Sequence, residues 1–168
     1  MATLNAFYVR GTQEDDAIKA VIRAKFPDAK IEANKEFWGV TLPEETYKAP
    51  EGDLTELSSR LGTDVLWLSF QSTVDAFEFH HWRDGEHLRS LVYGCFDKER
   101  TWERAEGRPA PWERAVFFDP KGLENAKREI ERIWRDAEIL AGRTEPGLIA
   151  RECARKVAQQ FRLPGWGS

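Results

Sequence analysis

The sequence predicts an α+β fold with a mostly antiparallel sheet of five to seven strands, and three observations carry that expectation. Short runs rich in β-branched and aromatic residues crowd into residues 64–106 instead of alternating with helices. Stretches with apolar residues three and four apart lie before that crowd and after it. The breaks between the strand-like runs are short and polar, as a meander of hairpins requires. The expected order is β-α-β-β-α-β-β-β-β-α-α, with helices packed on one or both faces. A chain of 168 residues fits one domain, with residues 1–119 as a sheet with two helices and residues 120–168 as a helical pair packed on it.

The elements follow in order. Residues 4–10 (LNAFYVR) read as a first strand. Thr12 with Asp15 three residues on resembles a capping box, and Ile18, Val21, Ile22 and Phe26 give a helical stripe that Pro27 ends. KIEA and EFWGVTL alternate around Asn34-Lys35 and predict a hairpin. A loop rich in Pro and Glu leads to Asp53, expected as an N-cap with Glu56 at N3. Leu54, Leu57 and Leu61 form the stripe of that helix, and Gly62 stands at its left-handed end. VLWLSFQS, VDAFEFHHW, EHLRSLVYG and TWERAE are the four strands of the meander. GRPAPW reads as a rigid proline crossover or a lid. Leu123, Ala126, Ile130, Ile133, Ala137 and Leu140 predict one tail helix, beside Trp134. Thr144 caps a second, bearing Ile149, Cys153, Val157 and Phe161. Trp166 in the closing LPGWGS is expected to tuck onto its own domain, or else to dock a partner.

Composition narrows the function classes. The net charge is −4, and the charge-rich region 97–156 is close to neutral, which argues against nucleic-acid binding. No apolar run approaches the roughly 20 residues that span a bilayer, so no membrane role is expected and a cytoplasmic protein is. Cys95 and Cys153 lack ligand spacing and read as two separate buried thiols. No phosphate-binding glycine loop or nucleophile elbow is present. No cofactor is expected.

One stretch stands out: residues 77–94, FEFHHWRDGEHLRSLVYG, hold all three histidines. Asp84-Gly85 predicts a type I′ turn, so residues facing each other across the hairpin should have numbers summing to about 169 if the ladder is regular. Trp82 then faces His87, and His80 faces Arg89. Alternation puts Phe77, Phe79, His81, Leu88, Ser90 and Val92 on one face, expected to pack on the two early helices. The other face carries Glu78, His80, Trp82, His87, Arg89, Leu91 and Tyr93, with Trp67, Ser69 and Gln71 from the preceding strand. His81 is expected to be structural.

That second face supports several readings. Trp82, Arg89, Tyr93 and Trp67 are residue types that dock proteins or flat ligands. His80 or His87, with Glu78, could move protons while Arg89 holds an anion. Two histidines and a carboxylate are metal-ligand types, but Arg89 beside His80 opposes a cation, so no metal is expected. The bland alternative is that the tail helices cover the tryptophans and make them core. The leading expectation is a non-catalytic binding domain for a protein partner or small ligand at the Trp82/His87 end. The alternative is a small enzyme acting on an anionic substrate.

Overall fold

The structure, a computed structural model, describes residues 3–11, 15–46, 48–74, 76–96, 99–113, 116 and 150–166, without the side chains of 95–102. The tail helix expected over Leu123–Leu140 with Trp134, the Thr12 and Thr144 caps and the Cys95 thiol fall outside the described residues.

Seven strands form one antiparallel sheet: β1 (Thr3–Arg10), β2 (Lys30–Ala33), β3 (Phe37–Thr41), β4 (Asp64–Gln71), β5 (Ala76–Arg83), β6 (Glu86–Phe96) and β7 (Glu99–Gly107). Their spatial order is β2-β3-β1-β4-β5-β6-β7. Helices α1 (Asp15–Lys25) and α2 (Glu51–Leu61) interrupt the strands, and α3 (Ala150–Phe161) follows them. The α+β class and the predicted order of elements up to β7 are therefore present. No helix among the described residues is long and apolar enough to cross a membrane.

The pairing explains the layering. β1 and β2 are each antiparallel to β3, and β3 and β4 are each antiparallel to β1. Thus α1 and α2 each connect parallel strands across one intervening strand. The second crossover starts from an oppositely directed strand and moves the opposite way, so a common hand puts both helices on the same side. There Ile18, Ile22, Leu54 and Leu57 bury Phe7, Val9, Val65, Trp67 and Trp82. The other side is closed by α3, whose Ala150, Cys153, Ala154, Val157 and Ala158 pack with Leu66, Leu68, Phe77, Phe79, Leu91 and Tyr93.

This corrects two expectations. Phe77 and Phe79 pack under α3, not under the early helices. Trp67 and Trp82 are core, as the bland reading has it, but α1 and α2 cover them. The cap of α2 also differs. The helix starts at Glu51 after Pro50, without a side-chain cap, so Asp53 lies inside its first turn. There two acids, Glu51 and Asp53, suit the positive end of the helix. Gly62 ends it at φ 60°, in the left-handed region expected.

At the chain's end, Trp166 turns back onto the domain, its indole Nε1 donating to the Tyr8 hydroxyl at 2.9 Å. Burial pushes the Tyr8 phenol up to about 12, against the hydrogen bond from Trp166. The native state thus keeps a proton that the unfolded chain loses near pH 10, and the stability this group contributes must fall from pH 10 to 12. Two pKa units correspond to about 3 kcal/mol. Urea unfolding of the wild type and Tyr8→Phe at pH 9, 10 and 11 should show the wild type losing ground to the variant as pH rises. A constant difference would rule out the perturbed phenol.

Candidate functional site

Because β-strand side chains alternate, antiparallel pairing aligns them into rows across the sheet. On the α1/α2 face one row runs Phe7, Trp67, His80, Ser90, Glu106, and the next runs Asn5, Ser69, Glu78, Val92, Arg104. The end row is Val9, Val65, Trp82, His87. The predicted turn is present, with φ of 49° at Asp84 and 80° at Gly85.

Past that turn the register shifts. Arg83 pairs with Glu86 and Trp82 with His87 as predicted, but His81 pairs with Arg89 and His80 with Ser90. Leu88 is the extra residue of a bulge, and every later side chain of β6 changes face. A β-carbon on Gly107 would lie 2.0 Å from the Leu88 carbonyl oxygen, so only glycine lets β7 end against the bulge.

The shift divides the predicted ligand-binding set. Trp82, Trp67, His80, His87 and Glu78 share the α1/α2 face, while Arg89 and Tyr93 point to the other side, against the expectation. Tyr93 is core under α3. Arg89 is buried beside Glu113: its Nη2 donates to Oε1 at 2.6 Å, and its Nη1 donates to the carbonyls of Glu106 and Gly107. This pair holds the GRPAPW segment, whose Trp112 lies edge-on to Phe79. His81, on the same face as Arg89, contacts Asp64 at 2.9 Å, as do Arg10 and Arg83 at 2.9 and 2.8 Å. Burial would raise the Asp64 carboxyl, but hydrogen bonds from His81, Arg83 and Arg10 together hold it below its usual range. His81 therefore has a structural partner set.

The α1/α2 face holds a tight polar cluster at the edge of α2. His80 is fully buried; its Nε2 lies 2.5 Å from Glu78 Oε1 and its Nδ1 2.7 Å from Ser90 Oγ. With the Glu78 carboxylate as acceptor at Nε2, that nitrogen is a donor, and Nδ1 faces the Ser90 hydroxyl. The His87 ring stacks on Trp82 at 5.2 Å with an 18° interplanar angle, and lies 5.7 Å from the His80 ring. Partial burial, then the neighbouring His80 and Arg104, keep the His87 imidazole below its ordinary pKa. Glu51, the first residue of α2, completes the group: its Oε1 lies 3.9 Å from His80 Nδ1 and accepts from Arg104 Nη1 at 3.0 Å. Glu51 was missed because its strand partners lie far along the chain. Residues 43–52, Glu51 among them, read as a loop rich in Pro and Glu, and Asp53 and Glu56 as the helix start.

The chemistry open to this cluster is limited by access. Ser90, His80 and Glu78 resemble a nucleophile–base–acid relay, yet Ser90 and His80 are both 0% exposed, so no substrate atom reaches the hydroxyl. The anion anchor expected for an enzyme, Arg89, is on the other face. An exposed aromatic patch is also missing: among the described residues Val74 is the large hydrophobic that stands exposed.

Beyond Glu78 the same face opens into a groove of about 710 Å³. Its lining includes Asn5, Ser69, Gln71, Glu78, Glu103 and Lys48, with Glu44 and Glu45 on the wall. Asn5 is fixed by donating to the carbonyls of Pro43 and Glu44, both at 3.3 Å, which ties the wall to the sheet. Comparisons with protein-family models, curated proteins and solved structures return no match for this chain.

Proposed function

We propose that the protein is a non-catalytic binding domain of the cytoplasm whose ligand is a small, polar, positively charged molecule seated in the Glu78 groove. The observation that carries this is the groove itself: about 710 Å³ over a polar cross-strand row, next to a face that α1 and α2 otherwise bury. Its volume falls in the roughly 300–1,000 Å³ range of small-molecule sites. Its charge favours a cation, because among the described lining residues Glu44, Glu45, Glu78 and Glu103 outnumber Lys48. Hydrophobic docking of a protein partner has less support, since Trp67 and Trp82 are core. The enzyme alternative, with His80 or His87 as acid–base on an anionic substrate, has less support still. It loses Arg89, and Arg104 is already engaged by Glu51 and Glu106.

Thermal unfolding with 1,4-diaminobutane or ethanolamine, against succinate as the opposite charge, tests the proposal. The amines should raise the melting temperature in a saturable way, succinate should not, and Glu103→Gln should weaken the response. Equal responses to amines and succinate, or none to either amine, would overturn it.

A further inference from the structure

The cluster beside the groove, which shares Glu78 with it, carries a second reading. We propose that Glu51, His80 and His87 form a binding site for a divalent transition-metal ion, zinc in the first instance, with Glu78 as the carboxylate that orients His80.

Four observations support it. The ligand-capable atoms of Glu51, His80 and His87 all lie within 4.8 Å of one another, drawn from α2, β5 and β6. Zinc bonds of about 2.0–2.1 Å place tetrahedral ligand atoms roughly 3.4 Å apart. The remaining contraction is small, and the exposed His87, stacked on Trp82, and the half-exposed Glu51, held by Arg104, would supply it around the fixed His80 ring. Second, His80 already has the arrangement that metal-bound histidines use. One ring nitrogen donates to a carboxylate, which orients the ring and turns the other nitrogen toward Glu51.

Third, the objection raised by the sequence is removed. The bulge at Leu88 sends Arg89 to the opposite face, where Glu113 neutralises it. Among the described residues the cation that remains beside the group, Arg104, is outnumbered by Glu51, Glu78 and Glu106. Fourth, the ligand types select the ion. Two imidazoles and one carboxylate suit zinc or iron rather than calcium or magnesium, and three protein ligands leave a position open. Binding requires Ser90 to release its 2.7 Å hydrogen bond to Nδ1, and Arg104 to shift its weight from Glu51 toward Glu106, already 3.1 Å away.

The test uses the full chain stripped with a chelator, titrated with zinc against a chromophoric competitor and with cobalt for its visible spectrum. The expected result is one ion per chain, with the intense cobalt bands of a four-coordinate site. His87→Ala and Glu51→Ala alter exposed side chains and should fold. Each should weaken zinc binding by more than the roughly 10–100-fold expected for Glu78→Gln, which removes only the support of His80. His81→Ala, on the opposite face, should bind as the wild type does. Zinc binding unchanged in His87→Ala, or cobalt bands absent from the wild type, would overturn the site. Neither result bears on the amine response of the groove, which His87 does not line; Glu78 is the side chain the two sites share.

Discussion

Glu113→Ala is expected to destabilise the protein by about 3–5 kcal/mol, because it leaves the Arg89 guanidinium buried without its counter-charge. Both side chains lie out of solvent, 8% and 2% exposed. Arg89 donates to both carboxylate oxygens of Glu113, at 2.6 to 3.2 Å, and the Ala110 backbone N–H donates to Oε2 at 2.5 Å. Loss of the carboxylate therefore strands a charge and frees the loop that follows β7. Arg89→Met with Glu113→Leu removes both charges and should recover most of the loss, since a buried pair gains little over apolar residues of like volume. Urea denaturation of the three proteins measures this. A single variant within about 1 kcal/mol of wild type would mean that water reaches Arg89.

Trp82→Ala should cost a similar amount, about 3–5 kcal/mol, through the cavity it leaves between the sheet and α1/α2. Trp82 is 1% exposed and packs in the cluster with Ile18, Ile22, Leu54 and Leu57. It also carries the His87 ring, so its removal withdraws a support of the histidine cluster together with core volume. Trp82→Phe keeps an aromatic platform and should cost clearly less. The same denaturation midpoints decide the matter. A loss below about 1 kcal/mol for Trp82→Ala would show the residue to be surface rather than core.

Much of the hairpin was legible. The Asp84-Gly85 turn followed from its residue types, because φ > 0 at two successive positions is cheap for Asp-Gly and costly for most other pairs. The pairs nearest the turn, Arg83–Glu86 and Trp82–His87, followed from it. The grouping of Glu78, His80 and Trp82 followed from the two-residue period of a strand. Arg89 and Tyr93 were misplaced because one extra residue reverses every later side chain, and nothing in EHLRSL marks Leu88 as that residue. A bulge is chosen by what it gains at a distance, here a buried partner for Arg89 in Glu113, 24 residues later.

The kind and order of the elements up to β7, the turn at Asp84-Gly85 and the side chains of β4 and β5 that share a face follow from the sequence alone. These depend on neighbours along the chain, through backbone sterics and the periodicity of apolar residues. Which helices cover which face, the burial of Trp67 and Trp82, and the meeting of Glu51 with His80 and His87 come from the packed fold. Those outcomes rest on contacts between residues tens of positions apart. Their energies are set by shape, burial and charge pairing after the layers close, and no local pattern encodes them.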